Sequence, residues 1–224
     1  MPDGRFKRST VGVLGSGDVG RSLAKGFQRG GHDVMIGTRG APSPDLREWL
    51  DGDGAGISAG TFEQTAAHGG LLALALLGDI AEDVLKGVGP DAFRGKVVID
   101  AMNPLDFSGG FPPKLSICGE DSLGERVQRA VPDGRVVKAF NTIGKDHFVE
   151  PRIAGDMPTM LIAGNDAGAK RVVADVLADF GWPEPVDIGG IEGSRELEAI
   201  CITWLKIAAA RGGSFDHGFK LLAG

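Results

Sequence analysis

Gly15, Gly17 and Gly20 stand as Gly-x-Gly-x-x-Gly, directly after the apolar Val11, Val13 and Leu14 and ahead of Val19, Leu23 and Phe27 at helical spacing. A tight turn out of a strand calls for Gly15. Close approach of a pyrophosphate to the backbone calls for a missing side chain at Gly17, and close packing of helix on strand calls for Gly20. The helix that follows would aim free N–H groups and a partial positive charge at the phosphates. In a chain with 37 glycines such spacing also fits a purely structural turn. The strand before it and the helix after it favour a dinucleotide site in which Ser16, Asp18 and Val19 complete the loop.

The second apolar strand after this motif ends in Gly37-Thr38-Arg39. A chain built for NAD places a carboxylate here to bond the ribose 2′-hydroxyl, whereas a 2′-phosphate repels a carboxylate and is held by cations and hydroxyls. With Thr38 and Arg39 and no acid, the reading is NADP; the alternative is an ordinary solvated turn.

Strands and helices alternate around this unit. Ser43 with Pro44 opens a short helix through residue 50, and residues 51–60 form a glycine-rich loop. Residues 61–67 read as helix. Residues 71–77 are a continuous apolar run of the kind buried on both faces of a parallel sheet. Asp79-Ile-Ala-Glu82 has capping-box spacing before a helix to about residue 88, and residues 96–100 form the next strand. Residues 105–120, rich in Gly and Pro, read as irregular, Ser122 to Glu125 caps another helix, and residues 135–139 form another strand. Residues 160–163, 167–180, 186–188 and 194–211 make a β-α-β-α tail.

The fold class is therefore α/β, a Rossmann-like, doubly wound, mostly parallel sheet with a small C-terminal β-α-β-α extension. Residues 1–143 are expected to form the dinucleotide-binding domain and residues 144–224 a C-terminal extension on the same sheet. In open α/β sheets ligands lie beyond the carboxyl ends of the strands. The loops at Gly15, Thr38, Leu77, Asn103-Pro104 and Ala139-Phe-Asn141 should thus converge on one cleft, with Met102, Ile143 and Phe148 available as an apolar wall or as ordinary core. Among the four histidines, His32 and His68 fall at the far ends of their strands, and His217 lies in the tail. His147 follows Asn141-Thr142 and is the one weak candidate for touching a substrate. On the final helix Leu197, Ile200, Cys201, Trp204, Leu205 and Ala208 form an apolar stripe. Its own sheet or a second subunit could cover it.

Composition narrows the function classes. The 224 residues carry 24 Lys and Arg against 30 Asp and Glu, a formal charge of −6 with no basic cluster, which argues against nucleic acid. Cys118 and Cys201 stand far apart with no metal spacing, as expected of two buried thiols in a reducing compartment. The opening segment is polar and no apolar run approaches the roughly 20 residues that cross a bilayer. A cytoplasmic protein without a membrane or metal partner is expected.

The segments Val13-Leu-Gly-Ser-Gly-Asp-Val-Gly-Arg-Ser-Leu-Ala24, Gly37-Thr-Arg39, Asn103-Pro104, Val137-Lys-Ala-Phe-Asn-Thr142, Ile162-Ala-Gly-Asn-Asp166 and Gly189-Gly-Ile-Glu-Gly-Ser-Arg-Glu-Leu-Glu198 occur in this order. The chain so resembles the NADPH-dependent coenzyme F-420 reductases from Thr10 to its final helix. Its opening is similar to the cytoplasmic domain of the six-transmembrane metalloreductases. The resemblance implies hydride transfer between NADPH and a planar small-molecule redox substrate, nominally the deazaflavin coenzyme F-420. It also implies a homodimer and cofactor contacts at Leu76 and Leu77, where Leu76-Leu77-Gly78 departs from the Pro or aromatic residue that relatives often carry. Such a reaction needs stacking and exclusion of water more than an acid or base. Two rivals stay open: a β-hydroxyacid or imine reductase, for which Lys206 would be the catalytic lysine, and a non-catalytic NADP(H)-sensing module.

Overall fold

Alternating apolar residues build the sheet and assign its two faces. In Thr10–Leu14 (β1), Val11 and Val13 point into one core with Leu23, Ala24 and Phe27 of Asp18–Arg29 (α1), while Leu14 points into the other. The structure is a computed structural model that describes residues 6–222. The polar segment 1–5 read at the start of the sequence lies outside the described residues. After α1 come Asp33–Thr38 (β2), Pro44–Asp51 (α2), Ser58–Thr61 (β3), Phe62–His68 (α3), Leu71–Leu74 (β4), Ala81–Val88 (α4) and Val97–Asp100 (β5). Leu105–Asp106 (β6) and Lys114–Leu115 (β7) form a separate antiparallel pair. The chain continues through Leu123–Ala130 (α5), Arg135–Lys138 (β8), Leu161–Gly164 (β9), Ala167–Asp179 (α6), Val186–Asp187 (β10) and Ser194–Ala210 (α7).

Eight strands lie in the order β10-β9-β8-β5-β4-β1-β2-β3. From β3 to β8 every neighbour is parallel, and the chain winds outward in both directions from β1, the doubly wound arrangement. β9 then runs antiparallel to β8, with Val137 opposite Gly164, and β10 joins β9 in parallel. Helices α1, α2 and α6 cover one face and α3, α4 and α5 the other. The central strands β4 and β5 are buried along their whole length, so both faces of Leu71–Leu74 and of Val97–Asp100 carry apolar residues. No helix among the described residues is long and apolar enough to cross a membrane.

Several local expectations are corrected. The glycine-rich loop contains β3, an edge strand paired with β2 from Met35↔Ser58 to Thr38↔Thr61; its sequence Ser-Ala-Gly-Thr has too little apolar content to announce a strand. The irregular segment contains the β6–β7 pair, whose two-residue strands leave no periodicity to detect. The capping-box spacing at Asp79 does not cap: Ile80 occupies the N-cap of α4 without a side-chain bond. Ser43 and Ser122 do cap, accepting from Leu46 N at 3.1 Å and Glu125 N at 3.1 Å. Cys201 is buried as expected, but Cys118 is exposed, because the stretch past β7 lies on the surface. The stripe on α7 is covered within the chain: Leu197, Cys201, Trp204, Leu205 and Ala208 are all buried, with Leu105 and Phe219 packed against its middle.

Candidate functional site

A cavity of about 940 Å³ opens at the carboxyl ends of β1 and β4, where the winding of the sheet reverses. Gly15, Ser16, Gly17, Asp18 and Val19 from the β1–α1 turn form one wall, and Thr38 and Arg39 extend it beyond β2. The stretch from Ala75 to Ile80, including Leu76 and Leu77, and the floor at Ala101, Met102 and Asn103 complete it. Of the sequence-derived candidates, Gly20, Pro104, Ala139 and Asn141 lie behind the lining, buried.

The three glycines divide in role. Gly15 sits at φ +121°, and a Cβ there would fall 2.2 Å from the Ala75 carbonyl oxygen. A Cβ at Gly20 would fall 1.9 Å from the Gly15 carbonyl oxygen. These two let β1, α1 and the β4 loop touch. At Gly17, by contrast, a Cβ would meet nothing within 4 Å. Gly17 is the N-cap of α1 and carries no side-chain bond to the helix, so the first N–H groups of α1 are left to a ligand. A bare backbone cradle of this kind fits a pyrophosphate. Asp18, the one acid in the turn, is offset by Lys145, whose Nζ lies 3.2 Å from its carboxylate.

The second strand's end has the character required for a 2′-phosphate. Arg39 is exposed, lines the cavity, and makes no ion pair among the described residues, while Thr38 offers a hydroxyl beside it. Arg21 ties this region to the glycine turn: its Nε donates to the Ser16 carbonyl at 3.0 Å, its guanidinium pairs with Asp45 of α2, and it lies 5.4 Å over the Trp49 ring.

Across the cleft the lining turns apolar. Leu77 and Phe107 are 70% and 53% exposed, and with Leu76, Ile80, Met102 and Leu105 they face the cavity. Met102 is thus the one member of the expected apolar wall that reaches the cleft; Ile143 and Phe148 are in the core. Phe107 was not legible in sequence because it sits in a segment without periodicity.

At the floor the two strand-end asparagines meet. Asn141 Nδ2 donates to Asn103 Oδ1 at 2.9 Å, and Asn103 Nδ2 donates to the Asn141 carbonyl at 3.1 Å. Phe140, the residue before Asn141, adopts φ +64°, a left-handed conformation rare for an aromatic, with its buried ring packed against Phe148 and Phe180. His147 lies in a short turn outside the cavity lining, 3.0 Å from Asp216, and His217 stacks on Trp204. Lys206 is exposed on α7, also outside the lining.

Beneath the floor lies a group of charges that sequence reading missed. Lys138, at the end of β8 and fully buried, places Nζ 3.0 Å from Asp100 and 2.8 Å from Glu198 of α7. Burial opposes charge on Lys138, but the two carboxylates outweigh it and hold its pKa above the ordinary lysine range. Burial pushes Glu198 up, with Lys138 offsetting only part of the effect, and burial pushes the neighbouring Cys201 thiol up to about 12. Lys138 stands in apolar sequence surroundings, whereas Glu198 follows the polar Ser194, Arg195 and Glu196 and reads as one more helix-surface acid. The one signal available was a lysine inside a buried strand, which demands a partner.

Comparison with known proteins bears on the same cleft. The profile of the family described as NADP oxidoreductase, coenzyme F420-dependent, matches residues 10–104, the segment that builds most of the cavity. A crystal structure from Arthrobacter sp. FB24, provisionally named an F420-dependent NADP-reductase, superposes with a TM-score of 0.91 at 35% identity, over 97% of this chain and 100% of that one. This chain belongs to the F420-dependent NADP oxidoreductase family. The F420-dependent NADP reductase of Methanothermobacter thermautotrophicus is 28% identical over 84% of each chain. The rat metalloreductase STEAP3 is 29% identical over 85% of this chain but only 36% of its own length, so this chain spans about a third of that relative. The chain is accordingly an NADP-dependent oxidoreductase, and the resemblance read from its motifs is borne out.

Proposed function

We propose that this protein transfers a hydride between NADPH, held in the β1–β4 cleft, and a flat acceptor of the deazaflavin class, coenzyme F-420. The observation that carries the reading is the division of the cleft: an uncapped helix N-terminus, Gly17 and Arg39 on one side, and the exposed apolar Leu77 and Phe107 on the other. When bound, NADPH supplies the hydride from its nicotinamide ring. The N–H groups of α1 would bind the pyrophosphate, and Arg39 with Thr38 the 2′-phosphate. Asn103 and Met102 would floor the nicotinamide end, and Leu76, Leu77 and Phe107 would exclude water from a stacked acceptor. The hydride passes directly between the two rings, and the one proton the reduced acceptor then takes up can come from water, in keeping with His147 being paired to Asp216 away from the lining.

The reading includes a cytoplasmic location and a homodimer. The covered stripe on α7 gives the dimer no support, so it rests on the family resemblance.

Stopped-flow oxidation of NADPH by coenzyme F-420, FMN, a ferric chelate and a cyclic imine tests the acceptor. Fast oxidation by the deazaflavin alone is expected. Turnover of the imine with NADPH, or of a β-hydroxyacid with NADP+, that depends on Lys206 would overturn the reading, and NADPH binding without oxidation by any acceptor would leave a sensing module in its place.

A further inference from the structure

Three charged side chains are buried together without touching the cavity, and their connections run from the last helix to its floor. Glu198 accepts from the backbone N–H of Leu123 at 3.1 Å and of Gly124 at 3.1 Å, the first residues of α5, and also holds Lys138 Nζ at 2.8 Å. Lys138 passes the link to Asp100 Oδ2 at 3.0 Å. The other oxygen of Asp100 accepts from Met102 N at 2.9 Å, turning the chain immediately past β5. That turn is the floor: Ala101, Met102 and Asn103 all line the cavity, and Asn103 in turn engages Asn141.

Replacing a buried ion pair by packed apolar residues is often neutral or stabilising, so such a group is weak evidence for stability and better attested as a fixer of register. Here the register being fixed has a definite location. Ala101 is already held by β4, its N–H bonding the Leu74 carbonyl at 3.1 Å, while Met102 is held by the Asp100 carboxylate.

We infer that Glu198 and Lys138 are positioning residues: through Asp100 they hold the Met102-Asn103 floor in the one geometry that seats the nicotinamide ring, coupling α7 to the site. The inference rests on the proposed placement of NADPH in this cleft. Glu198→Gln keeps the shape and an acceptor for α5 but removes the charge that holds Lys138. In the cofactor-free protein, backbone amide exchange at Met102 and Asn103 should then rise about tenfold while β1 and β4 are unchanged. NADPH should still bind within about threefold of wild type, because its phosphates are held at the distant α1 terminus. The fluorescence lifetime of the bound nicotinamide should shorten toward that of free NADPH. Glu198→Asp, which keeps the charge but shortens its reach, should give a smaller rise in exchange and a smaller change in lifetime, and it decides the matter if Glu198→Gln does not fold. Floor exchange and ring lifetime equal to wild type in a folded variant, whatever its melting temperature, would reduce the group to a structural role and overturn the inference. Failure of the wild-type protein to bind NADPH would instead remove the cofactor reading, and the exchange measurement on the free protein would still decide whether Glu198 governs the floor.

Discussion

A methyl group at Gly15 would lie 2.2 Å from the Ala75 carbonyl at φ +121°, while one at Gly17 meets nothing. Gly15→Ala should therefore cost about 2–4 kcal/mol of stability, seen in urea unfolding. Gly17→Ala should cost about 1 kcal/mol or less and yet weaken NADPH about a hundredfold, since the methyl would occupy the cradle proposed for the pyrophosphate. Equal stability losses with unchanged NADPH affinity would show that the cradle serves something else. Arg39 makes the complementary case. Exposed and without an ion pair among the described residues, it contributes little to the fold, so Arg39→Ala should leave the melting temperature unaltered. Loss of the charge-assisted contact should cost NADPH about 1.5–3 kcal/mol by isothermal titration and leave NADH nearly unchanged. That both residues line the cavity was legible in sequence, because a glycine at fixed spacing and an arginine in place of an acid mark their positions locally. Glu198 and Lys138 were not, since their meaning depends on a contact between residues 60 positions apart.

At the scale of the elements, the turn from α1 into β2 carries a pH dependence. His32 is buried there, its Nδ1 accepting the Ser9 N–H at 3.2 Å, with Phe6 and Phe27 against the ring. Burial holds its pKa below the ordinary histidine value, more than offsetting the pull of Asp179. As pH falls, the unfolded chain takes up its proton first, at about 6.5. The stability contributed by neutral His32 is thus whole above that pH and is lost as pH falls through the lower, folded value. The urea midpoint should drop between pH 7 and pH 5, and His32→Gln should flatten that slope; an unchanged slope in the variant would assign the titration elsewhere. The elements themselves were largely readable: β1, β4, β5 and β8 as apolar runs, α1, α5 and α7 from caps and stripes. What escaped was structure made by pairing rather than by composition. β3 has four small residues and exists because β2 offers it an open edge, and β6 and β7 have two residues each. The spacing at Asp79 shows the opposite failure, a capping pattern that local geometry leaves unused.

For the molecule as a whole, the order of the strands decides where the site lies, because only the reversal between β1 and β4 leaves a crevice between loops that cross to opposite faces. That crevice could be placed from sequence through the glycine motif and the alternation of elements. Of its apolar wall, Leu76, Leu77 and Met102 were also placed there from sequence, but Phe107 was not, since it enters from a segment whose path depends on the completed sheet. A ligand bridging these loops should stabilise the folded state in proportion to its affinity. NADPH at a hundred times its dissociation constant should contribute about 2.7 kcal/mol, which for a domain of this size raises the melting temperature by about 5–10 °C. NADH at the same concentration lacks the 2′-phosphate contact and should raise it by about half that or less. In Arg39→Ala the two cofactors should give equal, small shifts. Equal and large shifts from both in the wild-type protein would mean that the cleft does not distinguish them, and that the end of β2 is a solvated turn rather than a phosphate site.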